Sequence, residues 1–325
     1  MEQNQVQNIP QELFVRVDNN TINSEKITAP RYSYWKSVGR SFFRNPVNYI
    51  VLGLVIFILI MSFIYPLFSP YSQAFWINEN YGLPTEDISY LTPGEAIDYR
   101  GFNLRWVFGT GQFGEPLFDA LWAGAQSSLA LAFVCAAINI TVGIIVGALW
   151  GYSKIVDKIM QEVYNIVSNI PYLMFITVFV AIVGTGFWSF VAAMTITGWL
   201  GVAYFIRTQV IIIRDREYNL ASRCLGTPIL RMVTKNILPF LTSVIVTITA
   251  SEIPSYISTE VFLSYLQIGL GSENSLGKLI NDNQQYMDSH PHLFWIPVIV
   301  SSVITVSLYI IGQNLADASD PKTHM

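Results

Sequence analysis

Charged side chains are scarce in this chain and absent from long stretches of it. Asp, Glu, Lys and Arg make up 12% of the 325 residues, against about 25% in ordinary soluble domains. None occurs in residues 45–78, 120–153, 163–206 or 289–316. Helices of soluble proteins keep a polar face, and the run "YIVLGLVIFILIMSFIYPLF" has none. The missing charge therefore excludes an ordinary soluble domain and predicts a membrane protein.

Several catalytic patterns are missing as well. The chain has no G-x-x-x-x-G-K-[ST] loop, no H-E-x-x-H or paired-Cys pattern for a metal, and no G-x-S-x-G nucleophile. The "GTGQFG" run, residues 109–114, matches G-x-G-x-x-G but lies in no βαβ unit, which disfavours a dinucleotide site. His290 and His292 are interpreted as interfacial packing. A disulfide is not expected, since Cys135 lies in a span and Cys224 in a polar insert.

The uncharged blocks predict a series of membrane-spanning helices. A bilayer core takes roughly 20 apolar residues per helix, so three blocks hold one span each. The longest block divides in two at "GTGFW", residues 184–188, and a further span is interrupted by two acidic residues. The predicted fold class is therefore all-α, a polytopic membrane protein with six transmembrane helices. Their predicted bounds are about 47–68, 127–152, 163–183, 187–206, 240–263 and 293–314.

Lys and Arg gather on one side of the predicted membrane. The two chain ends and the loops 153–162 and 207–239 hold 15 of the 18 Lys and Arg residues. The positive-inside rule makes these segments cytoplasmic in a multi-pass plasma-membrane protein. No cleavable signal peptide is expected, since the amino terminus is polar and the first apolar run is too long. The predicted organisation is 1–30, a cytoplasmic tail; 31–68, an interfacial helix and the first span; 69–119, an extracytoplasmic loop; 120–316, a five-helix core; and 317–325, a cytoplasmic tail.

Two carboxylates interrupt the fifth span. Glu252 and Glu260 each cost several kcal/mol in a bilayer unless they face a partner or water. Their spacing of eight residues places them within about 80° of each other on the helix, and Pro254 between them is expected to kink it. Both, together with Tyr256, are candidate substrate-pathway residues. The alternative is that a neighbouring helix satisfies each carboxylate, which we favour for Glu260 and leave open for Glu252.

A cationic insert separates the fourth and fifth spans. "REYNLASRCLGTPILRMVTKNILP", residues 216–239, predicts a helix that ends at Gly226 and a second that begins at Pro228. Cations alone would suit an anchor on the membrane surface. Their alternation with apolar residues is typical of a helix docked in the groove of another protein. Because the chain has no ATP-binding loop of its own, we expect energy to arrive through this insert.

The insert resembles the cytoplasmic coupling loop of permease subunits in ATP-binding-cassette importers, which has the form E-A-A-x3-G-x9-I-x-L-P. Gly226 and Pro239 keep its spacing, whereas Leu220, Ser222 and Asn236 depart from it. The departures point towards the peptide-transport branch, whose loop reads like E-Y-x-x-A-A-R-x-L-G. The resemblance assigns ATPase coupling to Glu217, Tyr218, Leu220, Ala221, Ser222, Arg223, Leu225, Gly226 and Pro239.

Four other stretches resemble the C-type permease of oligopeptide and dipeptide importers, so the likeness covers nearly all of the chain after Pro30. "SFFRNPVNYIVLGLVIFILIMSFIYPLFSPY" looks like that family's N-terminal region. "TEVFLSYLQIGLGS" and "GQNLADASDP" look like its xExxLSFLGLGV and NxLGDxLRDxxDP. "FGTGQFGEPLFDALWAGAQSSL" resembles GTDxxGRDxxSRxxxGxRxSL, but Gly111 and Glu115-Pro116 replace Asp and Arg-Asp. The likeness is strongest to Gram-positive permeases of streptococcal and lactococcal type.

The resemblance implies the type I (MetI-like) transmembrane domain of these importers and a function in oligopeptide import. The chain would pair with a second, B-type permease. Two cytoplasmic ATPase subunits, which hold the ATP and Mg, and an extracellular peptide-binding lipoprotein would complete the complex. No cofactor, enzymatic activity or nucleic-acid partner of this chain itself is expected. Two other functions stay open: an ion-coupled transporter that uses Glu252 and Glu260, for which no internal repeat is visible, and a sensor that signals when peptide binds.

Overall fold

The computed structural model describes residues 33–71, 88–271 and 274–320. The predicted cytoplasmic tail 1–30, part of the predicted extracytoplasmic loop 69–119 and most of the tail 317–325 lie outside the described residues. Within the described ranges the chain is helical, and the β-structure is one isolated bridge between Thr110 and Pro116. The predicted all-α fold class is confirmed.

Helices of very different length make up the described chain. Short 3-10 turns cover Leu104–Trp106, Leu238–Leu241 and Gln284–Tyr286, and a π-helical stretch covers Met232–Ile237. The α-helices are α1 Tyr34–Phe42, α2 Pro46–Phe63, α3 Tyr65–Phe68, α4 Pro93–Arg100, α5 Leu117–Tyr152, α6 Lys154–Ser168, α7 Tyr172–Val183, α8 Phe187–Arg214, α9 Glu217–Cys224, α10 Ile229–Arg231, α11 Thr242–Tyr265, α12 Leu276–Asn283 and α13 Pro291–Ser319.

Five helical segments of the described chain are long and apolar enough to cross a membrane, and α6 with α7 makes a sixth if this pair is one bent span. The axes of α6 and α7 differ by 77°. The expectation of one continuous helix over 163–183 is therefore wrong. Pro171 explains the break, because a proline disfavours helical backbone at the residue before it. The five segments are Pro46–Phe68, Leu117–Tyr152, Phe187–Arg214, Ile229–Tyr265 and Pro291–Ser319.

Most of the long helices extend beyond their predicted bounds. The second was predicted to begin at 127 but begins at Leu117, and the fourth was predicted to end at 206 but ends at Arg214. The fifth segment begins at Ile229 rather than 240, and the last runs on to Ser319 rather than 314. Hydropathy marks only the roughly 30 Å of hydrocarbon, whereas a 36-residue helix such as α5 is about 54 Å long. The predicted bounds therefore delimit the apolar portions of longer helices.

Two of the long helices, α5 and α8, pack backbone to backbone through a row of glycines. Gly143, Gly147 and Gly151 stand four residues apart on α5. A Cβ atom on any of them would lie 2.4 to 2.7 Å from an atom of α8, among them the carbonyl oxygens of Ala203 and Arg207. Small residues at this spacing allow membrane helices to approach closely. The row therefore holds α5 and α8 in one register at the centre of the molecule.

The amino-terminal helix α1 is fastened to the end of α13. Val38 and Phe42 are buried against Ala318, and the Tyr34 hydroxyl donates a 2.8 Å hydrogen bond to the carbonyl oxygen of Ser319. The Asn48 amide donates across 2.6 Å to the carbonyl oxygen of Phe42. The predicted helix before the first span is thus present, and its position at the membrane interface remains a prediction.

At the end of the molecule opposite to α1, Asp119 connects several residues of the predicted extracytoplasmic loop. We call the described part of this loop, residues 69–71 and 88–119, the outer segment. The Asp119 side chain is fully buried and pairs with Arg105 at 2.5 Å, while the hydroxyls of Tyr65 and Ser69 donate to it across 2.5 and 3.1 Å. A buried carboxylate requires such partners. The residues 109–114 form a tight turn that leads into α5 and follows no strand in the described chain.

Candidate functional site

The predicted coupling insert folds as a helix, a turn and a second helix. α9 covers Glu217–Cys224, and the amide of Gly226 donates to the carbonyl oxygen of Arg223 across 2.9 Å. Gly226 has φ +77°, the left-handed conformation that terminates helices and that favours glycine. The next helix begins after Pro228. The prediction of a turn at Gly226 and a restart at Pro228 is confirmed.

A buried contact ties the start of α9 to the membrane helices. Asn219 is fully buried, and its amide donates across 2.8 Å to the carbonyl oxygen of Ile213 near the end of α8. The Arg214 guanidinium donates to the carbonyl oxygen of Gly151 on α5 across 2.9 Å and pairs with Asp215 at 3.0 Å. The hydrogen bond from Arg214 lowers the pKa of Asp215. Movement of α9 therefore acts directly on the ends of both α5 and α8.

The other side of α9 is held by the segment that follows it. The Tyr218 ring lies 5.5 Å from the ring of Phe240. The Arg223 guanidinium lies 5.9 Å from the ring centre of Tyr152 at the end of α5, within reach of a cation–π interaction. These contacts make α9 an integral part of the helical body rather than a free loop.

The exposed surface of α9 and its turn includes a cluster of large apolar side chains. Leu225 is 87% and Leu230 is 70% exposed, and cationic Arg216 and Arg231 flank them. An exposed cluster of large apolar side chains marks an interaction site. We call this cluster the coupling surface and define it as Tyr218, Leu220, Leu225, Ile229 and Leu230.

The remaining residues predicted for coupling divide by exposure. Glu217, Ala221, Arg223, Gly226 and Pro239 are exposed. Ser222 is half-buried and turned inward to the side chain of Asn236. Their role in coupling remains a prediction, but all except Ser222 are accessible to a partner.

The candidate pathway residue Glu252 begins a chain of polar side chains that crosses the molecule. The Tyr256 hydroxyl lies next to the carboxyl group of Glu252, one turn further along α11. The Asn139 amide of α5 donates to the Tyr256 hydroxyl across 2.6 Å and to the carbonyl oxygen of Met194 on α8 across 3.3 Å. The Tyr172 hydroxyl of α7 donates to the same carbonyl oxygen. We call Glu252, Tyr256, Asn139 and Tyr172 the polar chain.

Both ends of the polar chain are open to a second molecule. Glu252 is half-exposed at the surface of α11, and Tyr172 lines a cavity of about 310 Å³ between α8 and the bend of α6 and α7. In the middle, the Asn139 side-chain oxygen is buried without a hydrogen-bond partner. An unpaired buried amide oxygen is costly, so this position is suited to accept a hydrogen bond from a mobile group.

Glu260 sits in a different environment from Glu252. It is fully buried, and its carboxylate accepts hydrogen bonds from Ser128 of α5 across 2.6 Å and from Ser264 across 2.7 Å. The amide of Leu276 donates to the Ser128 hydroxyl and joins α12 to the same cluster. The arrangement matches the interhelical contact that the sequence favoured for Glu260. Its role as a pathway residue stays a prediction, and its side chain has no accessible surface.

A row of hydroxyl residues on α11 escaped the sequence analysis. Thr247, Ser251, Ser255 and Ser258 are all exposed, and their spacing of three to four residues places them on one face. Glu252 adjoins this row. By contrast, the exposed face of α2 is formed by residues such as Ile50, Phe57 and Ile60. The three- to four-residue spacing of Ser and Thr could have identified this row from the sequence, because helix faces that contact lipid are usually apolar.

The described residues bring no three His, Cys, Asp or Glu side chains together in a way that could hold a metal ion. The elements that have been located are long apolar helices, an exposed cluster joined to their ends and polar groups in their interior. Together they define a multi-pass membrane transport component.

Comparison with known proteins gives the family. Residues 139–324 match the binding-protein-dependent transport system inner membrane component family, and residues 33–90 match the N-terminal TM domain of oligopeptide transport permease C. The chain belongs to the binding-protein-dependent transport system inner membrane components. The prediction that it is a permease subunit of a multi-pass plasma-membrane transporter is thereby confirmed.

Individual relatives cover almost the whole chain. The oligopeptide transport system permease protein AmiD of Streptococcus pneumoniae is 44% identical over 97% of this chain and 99% of its own length. The dipeptide transport system permease protein DppC of Lactococcus lactis is 30% identical over 92% of this chain and 94% of its own. A solved chain of the MetNI methionine ABC transporter, in inward-facing conformations, aligns with a TM-score of 0.49 at 20% identity, over 63% of this chain and 99% of that chain.

Proposed function

We propose that this chain is the C-type permease subunit of an oligopeptide importer of the plasma membrane, driven by ATP that separate ATPase subunits bind with Mg and hydrolyse. The relatives that share its full length are named as oligopeptide and dipeptide permeases, which supports peptides as the cargo. A second, B-type permease, two ATPase subunits and an extracellular peptide-binding lipoprotein complete the proposed complex. Both chain ends are cytoplasmic, and the source is a Gram-positive bacterium.

The observation that carries the proposal is that the exposed coupling surface is attached to the membrane helices by buried hydrogen bonds. An apolar cluster with Leu225 at its tip faces outward, while Asn219 and Arg214 fasten the same segment to α5 and α8. An ATPase that binds the cluster and closes on ATP moves the membrane helices directly. An isolated surface anchor would need no such buried attachment.

The polar chain is the proposed route for the peptide. Peptide groups need hydrogen-bond partners wherever water is excluded. Glu252, Tyr256 and Asn139 place a carboxyl group, a hydroxyl and an unpaired amide oxygen inside the helical body. The hydroxyl row of α11 continues this surface towards both faces.

The test uses the complete transporter with Leu225→Asp. Leu225 is almost fully exposed, so its replacement leaves the fold intact but places a charge in the apolar contact. We expect loss of ATPase subunits on purification and loss of peptide-stimulated ATP hydrolysis. Phe102→Asp is the matched control, because Phe102 is 80% exposed in the outer segment.

Two results would contradict the proposal. Equal hydrolysis and co-purification in the Leu225→Asp and Phe102→Asp transporters would exclude docking through this surface. Peptide accumulation in ATP-depleted vesicles that hold an ion gradient would favour ion-coupled transport through Glu252 instead.

A further inference from the structure

A long apolar groove lies between the amino-terminal helix and the last two long helices. It encloses about 610 Å³ and is lined by α1, the start of α2, the first half of α11 and the second half of α13. Its floor is the contact between α11 and α13, where a Cβ on Gly312 would lie 2.8 Å from the Cβ of Ala250. Thr249 also lines the groove, and its hydroxyl donates a hydrogen bond to the carbonyl oxygen of Ile245. The groove therefore presents an almost entirely hydrocarbon surface.

The length of the groove matches one leaflet of a bilayer. On α11 it extends over the ten residues from Ile245 to Pro254, about 14 Å of helix. This is close to half of the roughly 30 Å hydrocarbon core. An extended acyl chain from one side of the membrane has the length that this groove accommodates.

Positive charge borders only the α1 end of the groove. Lys36 and Arg40 stand one turn apart on α1, and Arg44 follows in the next turn. All three are exposed, and none forms an ion pair with an acidic side chain in the described ranges 33–71, 88–271 and 274–320. Each of these cations directly follows, in the sequence, a residue that lines the groove: Trp35, Gly39 and Phe43. An anion at the mouth would meet this row of cations.

We propose that this groove is a binding site for an anionic glycerophospholipid from the leaflet on the α1 side. One acyl chain lies between α1, α11 and α13, and the phosphate is held by Lys36, Arg40 and Arg44. Basic pockets between membrane helices bind anionic headgroups in this way. By joining α1 to α11, the lipid would brace the helix that carries Glu252.

A second apolar groove in the structure serves as a control for the role of the cations. This groove of about 330 Å³ lies between α2 and α13. Its lining includes Leu54, Val303 and Val306 but no charged side chain. Lipid in this groove should show no preference for an anionic headgroup.

The test is native mass spectrometry of the purified transporter with phosphatidylglycerol or phosphatidylcholine of identical acyl chains. We expect phosphatidylglycerol to be retained roughly 10-fold better. Gly39→Leu should abolish the retention, because a Cβ on Gly39 meets no atom within 4 Å and the leucine fills the groove. Gly53→Leu is the control: Gly53 is equally uncrowded and lies on α2 outside this groove.

The headgroup is tested separately. Replacing Lys36, Arg40 and Arg44 together by Gln should remove the preference for phosphatidylglycerol and leave phosphatidylcholine binding unchanged. Lys158→Gln, an exposed cation on α6, should change neither. Equal retention of the two lipids by the unmodified transporter would overturn the proposal. So would efficient cross-linking of a cysteine at position 39 to another permease subunit, because protein would then occupy the groove.

Discussion

The side-chain amide of Asn236 donates a hydrogen bond to the hydroxyl of Ser222 across 3.1 Å. Both residues occupy positions where the coupling-loop pattern that this insert resembles has apolar side chains, Ala at 222 and Ile at 236. In this chain the two departures contact each other and close the loop between α9 and the π-helical stretch Met232–Ile237. They constitute one compensated change rather than two defects.

Exchanging these two residues for the family's pair tests this interpretation. Ser222→Ala or Asn236→Ile alone should each lower ATP-coupled peptide uptake and the melting temperature, because a hydrogen bond of about 1 kcal/mol is lost. The double variant should recover most of both losses. A double-mutant cycle on the melting free energy measures the coupling, and simple addition of the two single effects would show that the contact is unimportant.

Gly111 and Glu115 also depart from the family pattern, and the two residues are sterically complementary. A Cβ on Gly111 would lie 2.2 Å from a carboxylate oxygen of Glu115. Gly111→Ala should therefore destabilise the outer segment by about 1–3 kcal/mol, as overpacking does. The same substitution should be nearly neutral in a Glu115→Ala background. Thermal unfolding of the four proteins provides the measurement, and an equal cost of Gly111→Ala in both backgrounds would rule out the clash.

The stability of the outer segment should depend on pH through Glu115. Burial raises the pKa of this carboxyl from its ordinary 4.5 to about 7. As the pH rises from 4.5 to 7, the unfolded chain releases this proton while the folded chain retains it. The free energy of unfolding should therefore fall across this window, by up to about 3 kcal/mol, and level off above pH 7.

Glu115→Gln isolates this contribution from that of other acids nearby. Glu115 and Asp282 line one small cavity of about 40 Å³, and burial raises the pKa of Asp282 as well. The informative quantity is therefore the difference between the two proteins. Melting curves at pH 5 and pH 8 should show a gain for Glu115→Gln that is larger at pH 8. A difference that does not change with pH would place the carboxyl in contact with water.

Glu252 should affect the choice of peptide. Its half-exposed carboxylate on α11 attracts cationic groups, so Glu252→Gln should reduce uptake of Lys- or Arg-containing peptides several-fold more than that of neutral ones. Glu260→Gln is the matched control, because Gln keeps partners for Ser128 and Ser264 in a site that no peptide reaches. Competitive uptake of labelled peptides checks this, and equal losses for both peptide classes would assign Glu252 a structural role.

The sequence alone was sufficient to predict those features of the fold that depend on neighbouring residues in the chain. Uncharged blocks located the apolar part of every predicted span except the fifth, and Gly226 with Pro228 marked the turn of the coupling insert. The bend between α6 and α7 was missed because the uncharged block 163–206 continues across Pro171 without interruption. The pairing of Asn139 with Tyr256 was also beyond reach, because residues 117 positions apart meet only through the packing of α5 on α11. The missed parts are thus contacts over long sequence separation.

The glycine row on α5 also restricts how the molecule can deform. Each glycine seats a residue of α8, so sliding one helix by a single residue would drive side chains into backbone. Axial sliding of one helix along the other is therefore disfavoured, and we expect the pair to move as one body. A displacement of the helix ends near Arg214 would then also displace Asn139, which donates to the carbonyl oxygen of Met194 on α8.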